Sequence, residues 1–320
     1  MRIGIAIDVS TDVSQEFVEQ HQIHVLPSAI HMGDEVVVYD RDLARGLAFY
    51  RDHLADKGIH AETTPFSVKE IEDLFLRRLV LEYDYVFLIT LSSTRSLTFE
   101  NAHKASFTIL QSYHRIRSQG SVPGPFALRV VDSQTLFTGP GVLAWETVRM
   151  VSQQRSPTEI RKRLDELVPQ LYAYLVPDDL YYMRARAAKR GDQSVSLMAY
   201  LLGNALDIKP IIQANRLETR PVARVRHFAA AVERLFRHGA ERIASGTLKV
   251  PMIGVSYGGD PAEVRLLPGF EVLEQAATAH GVELMVSMMA PAAAVNVGGG
   301  ALTLAYCGEP GEFANPEPEP

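Results

Sequence analysis

The sequence predicts an α/β fold in two units: an N-terminal, mainly parallel sheet flanked by helices, followed by a C-terminal α+β sheet domain. Three observations predict it. Short apolar segments such as Arg2–Ile7, Tyr85–Leu91 and Phe126–Val131 alternate with longer helical patterns. That alternation implies right-handed crossovers and parallel strands. The polar, proline-terminated stretch Ser152-Gln-Gln-Arg-Ser-Pro157 interrupts the pattern near the middle of the 320 residues, where roughly 150 residues per domain places a boundary. Beyond it, Ile208–Ile212 and Arg216–Val225 read as neighbouring strands with a turn at Ala214-Asn215. The expected units are residues 1–155 and 156–308. A tail over 309–320, mostly Glu, Pro and Gly, is expected to be disordered.

The elements follow in order. Arg2–Ile7 is an apolar strand ending at Asp8-Val-Ser-Thr-Asp12, where Ser10 or Thr11 can cap a helix over Ser14–His21. Ile23–Leu26 and Glu35–Tyr39 read as strands, and Leu43, Leu47, Phe49 and Tyr50 mark a helix running to about Leu54. Thr63-Thr-Pro-Phe-Ser67 reads as a turn, with Ser67 and Glu70 at capping-box spacing before a helix. Tyr85–Leu91 is a buried strand that stops at Ser92-Ser93, and Ser96–Ser118 is a long helix. Phe126–Val131 is a strand, Gly139-Pro-Gly141 punctuates, and Val142–Val151 is helical. The second unit begins with a helix over Thr158–Leu167, a strand over Leu171–Val176 and a helix from about Pro177. A break at Gly191-Asp-Gln-Ser194 precedes a helix over Val195–Leu206. After the paired strands come a helix over Phe228–Arg237, strands over Val250–Ser256, Val282–Ser287 and Ala301–Tyr306, and helix over Ala262–His280.

Composition excludes several classes. The chain is 47% apolar and 22% charged, as expected of globular cores with an ordinary surface. A net charge of −6 argues against non-specific nucleic-acid binding. The single cysteine, Cys307, excludes a disulfide framework and a cysteine-rich zinc site. No charged-then-apolar leader precedes the first strand, and no apolar run approaches the ~18 residues that span a bilayer. A cytoplasmic protein without stable membrane insertion is the expectation.

The chemistry concentrates at Ser92-Ser93. A strand ending in hydroxyl residues before a helix collects backbone N–H groups and a positive dipole end, which suits an anion. In open α/β sheets ligands gather beyond the carboxyl ends of strands. A serine nucleophile is an alternative, although the Gly-x-Ser-x-Gly elbow is missing; so is a pair of polar residues that merely closes a strand. The ten histidines form no His-x-x-x-His motif, and His21 and His24 flank a helix-to-strand turn. Asp8 and Asp12 could bind Mg²⁺ or serve as caps and turns. Gly139-Pro-Gly141 and Gly298-Gly-Gly300 lack the Lys-Ser/Thr of a nucleotide loop. The basic run Arg184–Arg190 is a solvated face or a partner contact, and Arg224 and Arg226 close a strand.

Several separated segments together resemble the DegV family. Asp8-Val-Ser-Thr-Asp12 is similar to the family's Asp-Ser-Thr-Ala-Asp, and Thr63-Thr-Pro-Phe-Ser67 to its Thr-Ser-Gln-Pro-Ser. Ser92-Ser-Thr-Arg-Ser-Leu-Thr98 resembles Ser-Ser-Gly-Leu-Ser-Gly-Thr, and Val131-Asp-Ser133 with Gly139-x-Gly141 matches a further block. Leu201-Leu-Gly-x-x-Leu-Asp-Ile-Lys-Pro-Ile211 is close to Leu-Leu-Gly-x-x-Leu-Asn-Ile-Lys-Pro-Ile. The resemblance runs in order over residues 1 to about 307.

The resemblance implies a fatty-acid carrier with the lipid between two domains and its acyl chain in an apolar tunnel. No cofactor is implied. Thr63 and Ser93 occupy two carboxylate-binding positions, with Ser92 as a neighbour, and Thr64, Gly298 and Gly299 belong to the pocket and its turns. The family's third carboxylate ligand, a histidine in His-Thr-Gly-Pro-Gly, is replaced by Asn296 in Asn296-Val-Gly-Gly-Gly300, which donates a hydrogen bond but carries no charge. The family's Gly-Gly-Arg block is replaced by Lys189-Arg-Gly-Asp-Gln-Ser194, whereas Arg226 matches a family position and is expected to contact a partner or phosphate. The resemblance also implies a separate fatty acid kinase subunit that makes the acyl phosphate. A serine-dependent acyl hydrolase using Ser93 and a regulatory protein with a vestigial pocket are the other readings.

Overall fold

The computed structural model describes residues 1–32, 35–39, 41–52, 61–184 and 207–313. The first half opens with β1 (Ile3–Asp8), α1 (Gln15–Gln20), β2 (His24–Leu26), β3 (Ser28–Met32), β4 (Glu35–Tyr39), α2 (Leu43–Asp52) and β5 (Ala61–Pro65). Helix α3 (Val68–Leu74) continues through a π-helical turn, Phe75–Leu79, into α4 (Val80–Glu82). Then come β6 (Tyr85–Thr90), α5 (Thr98–Gln119), β7 (Ala127–Asp132) and α6 (Gly139–Ser152). The second half contains α7 (Pro157–Leu167), β8 (Leu171–Val176), β9 (Ile208–Asn215), β10 (Glu218–Arg226) and α8 (Phe228–Ala244). It ends with β11 (Leu248–Tyr257), α9 (Phe270–His280), β12 (Glu283–Met288), α10 (Pro291–Val297) and β13 (Leu302–Gly308).

Three sheets result among the described residues. The first is parallel throughout, in the order β2-β1-β6-β7. Strands β1 and β6 are buried along almost their whole length, as strands covered by helices on both faces must be. A small antiparallel sheet, β4-β3-β5, lies beside it. The third sheet is mixed, in the order β10-β9-β8-β13-β11-β12. The parallel N-terminal sheet and the α+β C-terminal sheet are those expected from the sequence.

One apolar core joins the first and third sheets. Ile7 and Phe87 of the first sheet, Val142 and Leu143 of α6, Leu164 of α7 and Met252 of β11 belong to it. The approach is close enough to require a glycine: a Cβ on Gly254 of β11 would stand 2.8 Å from the Thr138 Cβ at the start of α6. Cys307 is buried in this core, and burial pushes its thiol up to about 12.

Some expectations are corrected. Ser14, not Ser10 or Thr11, caps α1, because its hydroxyl accepts from the Phe17 N–H. Thr63–Pro65 is not a turn but the end of β5, since pairing with β3 holds it extended. Strand β3 and helix α10 were not expected. Gly139-Pro-Gly141 is the first turn of α6, where proline's missing N–H costs no hydrogen bond. The β9–β10 turn falls at Arg216-Leu217, both at positive φ, rather than at Ala214-Asn215. Helix does not run unbroken over Ala262–His280: Gly269 at φ +84° separates a 3₁₀ segment, Pro261–Leu266, from α9. The helix expected from Pro177 begins at Tyr181. The capping box of Ser67 with Glu70 is present. Residues 309–313 of the expected tail are described, and Phe313 stacks 4.1 Å from the His238 ring. Residues 185–190 of the basic run, Gly191–Ser194, the helix over Val195–Leu206 and residues 201–206 of the Leu201–Ile211 motif lie outside the described residues, as do 314–320.

Candidate functional site

A cavity of about 780 Å³ lies beyond the carboxyl ends of the parallel strands, within the size range of small-molecule pockets. Leu91, Leu136 and Phe137 line it from the loops after β6 and β7. Ala173 and Leu175 of β8 and Ile212 of β9 line it from the third sheet. Ala292, Ala293 and Val297 of α10 close a further wall. The lining is therefore largely aliphatic and drawn from both halves of the chain.

Polar side chains gather where β5, the β6–α5 loop and α10 meet. Thr63, Ser93 and Asn296 all line the cavity. Thr63 pairs with Ile30 in the small sheet, and Thr64 with Ala29. Thr63, half-buried, lines the cavity, whereas Thr64 is exposed and does not. The Thr63 and Ser93 hydroxyls make no hydrogen bond among the described residues. Asn296 lies in the last turn of α10, where its Nδ2 donates to the Ala292 carbonyl at 2.9 Å.

The remaining expected site residues lie elsewhere. Ser92 is 2% exposed, and its hydroxyl bonds the Thr94 hydroxyl at 2.9 Å. Gly298 ends α10 at φ +93°, where a Cβ would come 2.9 Å from the Tyr182 ring. Gly298 and Gly299 thus shape the turn after α10 without lining the cavity. Arg226 is exposed at the end of β10 and lines no part of it.

The backbone amides at Ser92-Ser93 are not left for an anion. The Leu91 N–H donates to the Asp8 carboxylate at 2.6 Å, the Ser92 N–H to the Thr135 carbonyl at 2.8 Å, and the Ser93 N–H to the Asp132 carboxylate at 3.2 Å. Carboxylates from neighbouring strand ends satisfy the junction that the sequence marked as anion-binding. What faces the cavity is side-chain chemistry.

Two acidic groups behind the cavity are structural. The Asp12 carboxylate accepts from the Ser256 hydroxyl at 2.7 Å and the Ala290 N–H at 2.8 Å. It thereby ties the β1 end to β11 and the start of α10. Burial pushes Asp8 and Asp12 each up to about 6. Nearby, the buried Arg41 guanidinium donates to the carbonyls of Val9, Thr11 and Val13, holding the loop after β1.

The rim is tied between the halves. Thr94 Oγ1 donates to the Leu217 carbonyl at 3.1 Å, and the Leu217 N–H donates to the Gln134 carbonyl at 3.0 Å. Arg95 lines the cavity, and its Nη2 donates to Thr219 Oγ1 on β10. The sequence reading passed over Arg95, although a basic residue in a hydroxyl-rich loop after a strand was a usable signal. It also passed over the alanines of α10, which carry no pattern by which to recognise a pocket wall.

Residues 2–309 match the family model described as uncharacterised proteins of the DegV family. A DegV domain-containing protein of Xanthomonas axonopodis pv. citri is 46% identical over 314 residues, covering 98% of this chain and all of that protein. A stearic acid-binding protein from Eubacterium ventriosum has a similar fold, with a TM-score of 0.76 at 19% identity, covering 96% of this chain and 98% of that one. The fold of DegV, a fatty acid binding protein from Bacillus subtilis, matches with a TM-score of 0.73 at 22% identity, covering 97% of this chain and all of that one.

Proposed function

This chain belongs to the DegV family, and we propose that it is a fatty-acid carrier that holds a long acyl chain in the cavity and presents its carboxylate to a separate kinase. One observation carries the reading: a largely aliphatic cavity has the Thr63 and Ser93 hydroxyls, neither hydrogen-bonded among the described residues, on its wall. Burying an acyl chain gains about 0.8 kcal/mol per CH₂, so ~15 methylenes supply on the order of 12 kcal/mol before the costs of association. A carboxylate inside such a cavity must be hydrogen-bonded. Hydroxyls donate to it and need no general base.

The carrier needs no nucleotide loop of its own, because the partner kinase supplies the phosphoryl group and forms the acyl phosphate. Arg226, exposed at the end of β10, is positioned on the surface for such a partner. A cytoplasmic location suits this exchange. No described helix is long and apolar enough to cross a membrane.

Mass spectrometry of an organic extract of the purified protein, from cells grown with added fatty acid, tests the reading. A stoichiometric long-chain fatty acid is expected, and its absence refutes the carrier. Mixing the loaded protein with a fatty acid kinase subunit and ATP should yield acyl phosphate. Turnover of acyl esters that vanishes in Ser93→Ala would instead establish a hydrolase. A cavity whose contents ignore both Thr63→Ala and Ser93→Ala would point to a regulatory protein with a vestigial pocket.

A further inference from the structure

Strained backbone persists only where the surroundings over-determine it, and it gathers at ligand clamps and active sites. Phe137, in the loop between β7 and α6, stands at φ +57°, a left-handed conformation that a bulky side chain rarely takes. Its carbonyl accepts from the Asp12 N–H at 2.9 Å. The Asp12 carboxylate in turn holds the Ala290 N–H at the start of α10. Phe137 is thereby fixed relative to α10.

The Phe137 side chain is buried in an apolar cluster with Leu175, Ile212, Ala293 and Val297, and all four line the cavity. They belong to β8, β9 and α10, so the ring reaches from the first half of the chain to walls made by the second. Other parts of those walls are small, at Ala173 and Ala292. Tyr174 is the other aromatic residue among the described lining. It turns its ring to the opposite face of the third sheet, where its hydroxyl meets that of Tyr306 at 3.1 Å. Among the described residues, the aromatic ring on the cavity side is that of Phe137.

We propose that Phe137 is the specificity-determining residue for acyl length: its ring fills space that the alanines beside it leave open, and so limits the longest chain the cavity takes. This inference rests on the fatty-acid reading above. Below that limit, each further buried methylene should tighten binding about fourfold. Past it, overpacking ends the gain.

The test titrates delipidated full-length protein, by fluorescence displacement, with lauric, myristic, palmitic, stearic, arachidic and behenic acids in turn. Wild-type affinity should rise along the series to a maximum and then fall. Phe137→Ala should move the maximum to longer acids by roughly two to four carbons, the room left by the ring after partial collapse. Phe137→Leu should fall between. Phe137→Gly should make the same shift, and it carries the test if Phe137→Ala does not fold, because glycine takes positive φ freely.

A maximum that stays in place in the folded variants overturns the proposal. So does a loss of affinity by the same factor for every acid, since Phe137 would then serve packing alone, and so does wild-type affinity that still rises at behenic acid. Wild type that binds none of these acids overturns the fatty-acid reading itself, an outcome distinct from the others.

Discussion

Replacing Asp12 with asparagine isolates one buried charge. Burial raises the Asp12 carboxyl from 3.8 to about 6, so the folded protein holds this proton more tightly than the unfolded chain. The resulting stabilisation is fully present below pH 3.8 and is lost as pH rises through about 6. The full span corresponds to about 3 kcal/mol, of which about 1.4 kcal/mol falls between pH 7.5 and pH 5. Asparagine can keep both contacts. Its Oδ1 accepts from the Ala290 N–H, and its Nδ2 donates to Ser256 Oγ, whose proton turns to Thr303 Oγ1, 2.6 Å away. Asp12→Asn should therefore fold and lose only the titration. Asp8, also near 6, and His238, whose burial lowers it to about 4, titrate in both proteins. His238 cancels in the difference between variant and wild type; Asp8, whose charge raises Asp12, is relieved of the same repulsion in the variant, which adds to the narrowing at acid pH. Denaturant melts at pH 5, 6 and 7.5 should show Asp12→Asn ahead of wild type at pH 7.5, with the lead narrowing by about 1.4 kcal/mol at pH 5. A lead independent of pH refutes the reasoning.

Three further outcomes are expected. Thr63→Ala and Ser93→Ala should each weaken palmitic acid binding by roughly tenfold, read by fluorescence displacement, because each removes a donor to a buried anion. Asn296→His alone should tighten carboxylate binding, more at pH 6 than at pH 8, by the same displacement assay; equal or weaker affinity would mean that the cavity's charge is already matched. Ser156→Ala should destabilise the protein by about 1 kcal/mol in urea melts, since the Ser156 hydroxyl accepts from the Glu159 N–H to cap α7.

Much of the fold was legible because burial on both faces leaves uninterrupted apolar runs. Tyr85–Leu91 and Leu171–Val176 were read within a residue or so of β6 and β8 for that reason. Strand β3 was missed because Ser28–Met32 mixes polar and apolar residues, being half-buried between two neighbours. Helix α10 was missed because its alanines pack tightly but have no periodic contrast. The polar end of the cavity was partly legible. Thr63 and Ser93 do line one cavity with Asn296. Ser92 does not, because it is buried with its hydroxyl bonded to that of Thr94. The carboxylates of Asp8 and Asp132 that quench the loop amides come from strands adjacent in the sheet but distant in sequence. No local pattern announces them.

Helix α6 is the spine of a book. It packs against β1 and β6 on one side and against β8, β11 and β13 on the other, with Val142, Leu143 and Ala144 wholly buried. Opening the covers there would expose Val142 and Leu143, side chains worth about 1.5–3 kcal/mol each. The fore-edge is different: Thr94 on Leu217 and Arg95 on Thr219 are hydrogen bonds, worth about 0.5–1.5 kcal/mol each. The volume therefore opens at its pages and not at its binding. If the chain carries a fatty acid as proposed, its acyl chain would pass the β6–α5 loop and the β9–β10 hairpin, on the side where hydrogen bonds rather than packed side chains join the halves.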